Sequence, residues 1–282
     1  MPAVTVAAVY SGLATMVLVA AMLAGCTPST AQRLHVQVLA VLPHDTTMYT
    51  EGLEIHDGVL YEGSGLAGQS RVRAAVLAGT TVLAGTGVLA GTGMLAGVLA
   101  GTAMVQEATL PAPLFGEGLT VTDGRLWQLT WTSGIAIERD PATLAQRRQV
   151  TYHGQGWGLC HDGHRLVMSD GSDRLTFRDP ITFAPSGQLQ VRLDGEPLSR
   201  LNELECAGGV VWANVFQTDN IVRINPRTGA VTGVVDASGL LRTQPRSPGD
   251  VLNGIAAIPG TGEFLITGKH WPSLFRVRFV SS

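Results

Sequence analysis

The chain has 282 residues, 45% of them hydrophobic, and a formal net charge of −3. That is enough for one large domain or two small ones. The small charge and the lack of a long basic run argue against nucleic acid as the main partner. Residues 1–25 carry no charged side chain, and Arg33 is the first. An apolar run that ends in small residues reads as an export signal rather than as part of the fold.

The run closes with Leu23-Ala24-Gly25-Cys26, followed by Thr, Pro and Ser. Leu-Ala-Gly-Cys is similar to a bacterial lipobox, which makes Cys26 the expected lipid acceptor and new N-terminus. No Lys or Arg precedes the apolar run, so an uncleaved anchor and an ordinary secretory signal stay open as alternatives. The expected location is the cell envelope or the exterior. Residues 26–45 then form a polar tether and one strand, Leu34 to Leu42, which alternates and is rich in Val and Leu. Cys160 and Cys206 remain, and in an exported protein an even pair points to a disulfide. Their rival reading is two buried thiols.

Residues 46–282 hold five copies of one pattern. They are YTEGLEIHDGVLYEGSG from Tyr49, FGEGLTVTDGRLWQLTW from Phe115, GQGWGLCHDGHRLVMSDG from Gly154, LNELECAGGVVWANVF from Leu201 and LNGIAAIPGTGEFLITGK from Leu252. Each reads as a strand, a tight turn built on Gly, and a second apolar strand. A third strand and a turn follow in most copies, as in Arg139-Asp140-Pro141, Arg178-Asp179-Pro180 and Ile224-Asn225-Pro226. Aligned on the Gly-Leu step, one key place holds Glu51, Glu117, Trp157, Asn202 and Asn253, at spacings of 66, 40, 45 and 51. Four-stranded units of this length, closed in a ring, predict an all-β fold, a five-bladed β-propeller. The strand at 34–42 is expected to close the ring against residues 274–280, which removes an exposed edge.

The long first spacing has a visible cause. Residues 76–97 repeat Val-Leu-Ala-Gly-Thr, and deleting that block restores the regular spacing. It reads as an expansion of one strand and turn in the first blade, uncharged and aggregation-prone.

In a propeller the innermost strands line a central channel, so the five key residues converge at one mouth. A second set, fourteen residues on with an allowance for the longer fifth turn, is Gly65, Trp131, Gly171, Phe216 and Lys269. Together they describe a pocket with aromatic walls, few charges and an acid–base candidate.

The stretches FGEGLT, QLTW, GQGWGL, MSDGS, LNELE, VWAN-x-x-QTD and TGKHWP carry a resemblance. Over about residues 46–279 the chain resembles the plant and bacterial type of glutaminyl cyclase. That family converts an N-terminal glutamine to pyroglutamate and releases ammonia. The resemblance implies Glu117 as catalytic acid–base with Asn202 and Lys269 as its partners. It implies Tyr49, Glu51, Phe115, Trp131, Trp157 and Phe216 as the substrate-binding walls. Phe216 departs from the Trp usual there, which removes an indole N–H. No cofactor or metal is implied, the partners are peptides with N-terminal Gln, and the expected state is a monomer.

Each reading has a plainer rival. Taken alone, Glu117 reads equally as a strand-end carboxylate paired with Lys269. The tryptophans read as blade packing, Asn202 as a turn cap and Lys269 as a solvated charge. Glu51 is expected to be a second polar group of the pocket. His161 and His164 share a turn, too little for a metal site. Asp170, Asp173 and Asp219 are expected to serve turns. Against the enzyme stands a non-catalytic propeller that binds a peptide end or a partner protein. A metal-dependent lactonase lacks the inward acidic and Asn ligands it would need.

Overall fold

The computed structural model describes Met1 and residues 30–77, 83–84, 87–88, 102–241, 247 and 249–282. The export segment, Cys26 and most of the Val-Leu-Ala-Gly-Thr block lie outside the described residues. Among the described residues every regular element is a strand. Alternating apolar and β-branched residues bounded by Gly, Asp and Asn turns leave the chain no helical face to bury.

The first three repeats each build one antiparallel sheet of four strands. In the first these are Thr50–His56, Val59–Ser64, Arg71–Leu77 and Thr102–Thr109. In the second they are Gly116–Thr122, Arg125–Thr130, Ile135–Arg139 and Gln146–Thr151. In the third they are Leu159–His161, Leu166–Ser169, Arg174–Arg178 and Pro185–Gln190. The fourth and fifth repeats share a sheet of eight strands, joined through Gln32–Pro43. That strand runs antiparallel to Ser273–Ser281, from Leu34 opposite Ser281 to Pro43 opposite Ser273. Its first residues also pair in parallel with Val231–Asp236 of the fourth repeat. Two edges are covered at once.

The innermost strands touch in sequence. Thr50–His56 contacts Gly116–Thr122, which contacts Leu159–His161, then Leu201–Ala207, then Leu252–Ile258, which returns to Thr50–His56. An apolar seam fills each gap between neighbours. Leu53 and Ile55 pack with Ala256 and Leu265, Tyr61 and Val72 with Leu119 and Leu126, and Trp127 and Leu129 with Leu159 and Leu166. Val167 and Leu175 pack with Leu204 and Val211, and Trp212 and Ile221 with Ile255 and Phe264. Across the seam between the third and fourth repeats a disulfide joins Cys160 to Cys206, with Cα atoms 5.4 Å apart.

The Asp-Pro turns repeat atom by atom. Asp140 Oδ1 accepts the amides of Ala142 and Thr143, and Asp179 Oδ1 those of Ile181 and Thr182. Asn225 Oδ1 does the same for Arg227 and Thr228. Such side chains mimic a backbone turn.

Close approach at the hub is what the Gly-Leu step serves. A Cβ on Gly52 would lie 2.7 Å from the Leu119 amide nitrogen, and one on Gly158 2.1 Å from the Asn202 carbonyl oxygen. The fourth repeat has Glu203 at this place. Its carboxylate accepts the amides of Leu53, at 3.3 Å, and Ile255, at 2.8 Å, from two neighbouring repeats. Glu205 and Glu54 lie further along the channel wall. Burial first, then neighbouring carboxylates, push Glu203 and Glu205 well above the carboxylate range. Burial pushes Glu54 up to about 7.

Two outcomes are expected. Gly158→Ala must move a backbone carbonyl, so the urea midpoint should fall by the equivalent of about 1–3 kcal/mol or more. An unchanged midpoint would contradict the packing described. The second concerns pH. The three channel carboxyls hold protons in the fold that the unfolded chain releases above its ordinary value of 4.5. Their stabilising contribution is therefore complete below that value and is lost as pH rises through the folded values. Urea unfolding should show lower stability at pH 8 than at pH 5, with a smaller difference in Glu54→Gln.

Candidate active site

Tyr49, Glu51, Phe115, Glu117, Trp131, Trp157, Asn202, Phe216 and Lys269 line one hollow of about 190 Å³. These are the nine residues that the resemblance implies, whereas Asn253, Gly65 and Gly171 of the two repeated sets do not line the hollow. The register explains this convergence. Gly65, Trp131, Phe216 and Lys269 each donate their amide to the carbonyl two residues before the key place, on Tyr49, Phe115, Arg200 and Val251. Members of the second set are thereby held beside the mouth of the inner strand. The third repeat departs, since its inner strand begins only at Leu159 and the Trp157 amide pairs with Ser169.

The walls are aromatic and edge-packed. Phe115 lies 6.2 Å from Tyr49 and 5.5 Å from Trp131 between ring centroids. Trp157 meets Phe216 at 5.4 Å, near perpendicular. Trp131 stands at the rim and is 40% exposed. Gly65 and Gly171 make room for this wall. A Cβ would fall 2.4 Å from the Phe115 ring at Gly65 and 2.7 Å from the Trp157 ring at Gly171.

The polar floor holds two carboxyls and one ammonium. Glu51 is 1% exposed, Glu117 5% and Lys269 4%. Lys269 Nζ donates to Glu51 Oε1 at 2.6 Å. The cation thus belongs to Glu51, and the plain pairing of Lys269 with Glu117 is not what forms. Asn253 Nδ2 donates to Glu51 Oε2 at 3.1 Å and to the Thr50 carbonyl at 3.0 Å. Lys269 also sits 4.5 Å from the Tyr49 ring centroid and 5.5 Å from that of Phe216, within cation–π range.

Glu117 Oε2 and Asn202 Oδ1 are buried with no partner in the protein. Unpaired buried polar atoms are costly, and at a cavity wall they point to a ligand. Burial first, then the Glu51 carboxylate, hold Glu117 well above the carboxylate range, against the pull of Lys269. Burial also raises Glu51, and Lys269 offsets part of that. For Lys269 burial works against the charge, but Glu51 and Glu117 outweigh it and raise the ammonium. Lys269 and Asn253 thus favour charge on Glu51, whereas burial and the Glu51 charge favour the proton on Glu117.

Residues outside the sequence reading complete the site. Gln155 Oε1 accepts both indole N–H groups, from Trp131 and Trp157, each at 2.9 Å. It sits inside the GQGWGL stretch, but nothing in one dimension shows that two tryptophans share it. Asn253 stands at a key place and is a partner of Glu51 rather than a pocket wall. His161 lies away from the hollow, against Thr122 at 3.3 Å. Asp170 accepts the Ser172 amide, and Asp173 accepts the Gln190 side chain. Among the described residues no group of three or more His, Cys, Asp or Glu is arranged to hold a metal ion.

The family model for glutamine cyclotransferase matches residues 10–279. The chain belongs to the glutamine cyclotransferase family. A curated relative, the glutaminyl-peptide cyclotransferase of Arabidopsis thaliana, is 34% identical over 250 residues, 86% of this chain and 71% of that protein. The crystal structure of Myxococcus xanthus glutaminyl cyclase is 37% identical, with a TM-score of 0.76, covering 89% of this chain and 99% of the other.

Removing Lys269 leaves Glu51 buried without its cation. Lys269→Met should lower the free energy of unfolding by about 3–5 kcal/mol, the usual loss when one member of a buried pair is deleted. Lys269→Met combined with Glu51→Gln should recover part of it. Equal urea midpoints for wild type and Lys269→Met would contradict the pairing.

Proposed function

We propose that the hollow binds an N-terminal glutamine and closes it to pyroglutamate, with Glu117 as the acid–base. The observation that carries this reading is Glu117, buried among aromatic walls with its Oε2 unpaired, beside a Glu51 that holds Lys269. The enzyme class, a glutaminyl-peptide cyclotransferase, is that of the family.

The chemistry needs a neutral α-amine. A neutral amine beside protonated Glu117 and an ammonium beside ionised Glu117 contain the same proton. A raised carboxyl value favours the first arrangement, which is the nucleophilic one. The amine attacks the side-chain amide carbon, a C–N bond forms, and the bond to the –NH₂ group breaks. The attacking nitrogen loses one proton and the leaving nitrogen gains one to depart as ammonia. Glu117 gives a proton from one oxygen and regains it at the other, so it ends as it began. Such acid–base help is worth about 10²–10⁴-fold. Lys269, with one of its three N–H groups on Glu51, and Asn202 are the donors for the amide oxygen as charge builds there. Because the ring closes within one molecule, much of the task is holding a folded conformer. The aromatic walls do that and exclude the water that would yield glutamate.

The same reading takes the repeats as five blades of a propeller, with the eight-stranded sheet as two blades joined through Gln32–Pro43. It takes the substrate as a peptide outside the cytoplasm. The Leu23 to Cys26 run supports export with Cys26 as lipid acceptor, and mass spectrometry of the mature N-terminus tests that step. The protein is read as a monomer.

The deciding assay is ammonia release from a Gln-initiated dipeptide. Wild type should release it, and Glu117→Gln, which preserves shape, should lose at least about 10²-fold in kcat. Release at the wild-type rate by that variant would rule out Glu117 as the acid–base.

A further inference from the structure

His44 lies outside the hollow, yet both of its ring nitrogens are engaged in the interior. Its side chain is 7% exposed. Nε2 is 2.9 Å from Glu62 Oε1, and Nδ1 is 2.6 Å from the Trp271 carbonyl oxygen. A carbonyl and a carboxylate both accept hydrogen bonds, so both ring nitrogens donate and the ring is an imidazolium. The Thr267 hydroxyl, 3.4 Å from Nδ1, gives its own proton to the Ser273 carbonyl and fits the same assignment.

What makes the position informative is where these partners lead. The Glu62 oxygen that faces His44 also accepts the Thr50 hydroxyl, at 2.7 Å. Thr50 directly precedes Glu51, and its carbonyl is held by Asn253. Trp271 stands two residues after Lys269, and the His44 amide donates to the next carbonyl, on Pro272, at 2.9 Å. Through Glu62, on the second strand of the first repeat, the imidazolium therefore reaches Thr50 on the inner strand, and through Trp271 it holds the loop of the fifth. These two segments carry the two members of the 2.6 Å pair on the pocket floor.

We propose that His44 is a positioning residue: as an imidazolium it fixes the Glu51 strand against the Lys269 loop, and so sets the geometry of the pair beside Glu117. The inference rests on the acid–base reading of the hollow. The charged groups acting on the ring are Glu62 from the first repeat and Asp45 next to it, the latter held by Arg73 at 2.5 Å. The fifth repeat presents only uncharged groups, the Thr267 hydroxyl and the Trp271 and Pro272 carbonyls. Burial works against the ring's charge, but Glu62, the Trp271 carbonyl and Asp45 outweigh it and raise the ring above its usual value. Loss of the proton at alkaline pH removes one of the two bonds, and the floor of the pocket loosens.

The test uses His44→Gln and Thr50→Val in the full chain, with ammonia release from a Gln-initiated dipeptide followed across pH. His44→Gln can keep only one of the two donated bonds. Thr50→Val keeps the imidazolium and cuts its link to the Glu51 strand. Misplacing reacting groups costs between about tenfold and a hundredfold, so both variants should lose that much in kcat with little change in KM. The alkaline limb that His44 contributes should be missing in His44→Gln. Wild-type kcat and an unchanged pH profile in a folded His44→Gln would overturn the proposal. If His44→Gln does not fold, wild-type kcat in Thr50→Val overturns it instead. An inactive wild type would bring down the acid–base reading and this inference together, whereas an active wild type with unaffected variants sinks the inference alone.

Discussion

Everything at the pocket follows from how closely the inner strands approach the hub. In the first three repeats glycine after the key residue lets one backbone rest on the next, where a single methyl group would meet a carbonyl or amide at 2.1–2.7 Å. Side chains that precede this step are then forced together at one mouth. Glu203 replaces that glycine in the fourth repeat and ties two neighbouring strands through their amides. The hub is a backbone contact first and a chemical site second.

Crowding carboxyls into such a place has an electrostatic result. Two ionised groups side by side and out of water repel strongly, so one keeps its proton. Which one is decided by the nearest cation and amide. Lys269 and Asn253 both favour charge on Glu51, and Glu117 is left with an oxygen that no protein group satisfies. The asymmetry between two chemically identical residues is thus a property of their neighbours in other repeats.

This also marks what one dimension could reveal. Repetition exposed the key place, and the second set fell on the same mouth because an amide–carbonyl bond repeats in four copies. Seven of the nine pocket residues were legible for that reason, whereas Tyr49 and Phe115 came only through the resemblance. The Cys160–Cys206 pairing was legible too, since both lie near one position of adjacent copies. Partnerships between repeats were not. Nothing along the chain says that Lys269 prefers Glu51 to Glu117, that Gln155 holds two indoles, or that His44 reaches both Glu62 and Trp271. The partnerships across repeats bring together residues separated in sequence by 24 for Trp131 and Gln155 and by more than two hundred for Lys269 with Glu51 and His44 with Trp271. Glu203 was hidden differently, as the one non-glycine at a glycine place.

Glu117 should hold its proton in the free protein, and infrared difference spectroscopy tests this without any assay. Spectra of wild type minus Glu117→Gln at neutral pH should show the C=O stretch of a neutral carboxylic acid, and that band should shift when a non-cyclisable analogue of an N-terminal glutamine dipeptide is added. A difference spectrum with only ionised carboxylate bands would mean that Glu117 carries the charge, and the division of roles between it and Glu51 would be wrong.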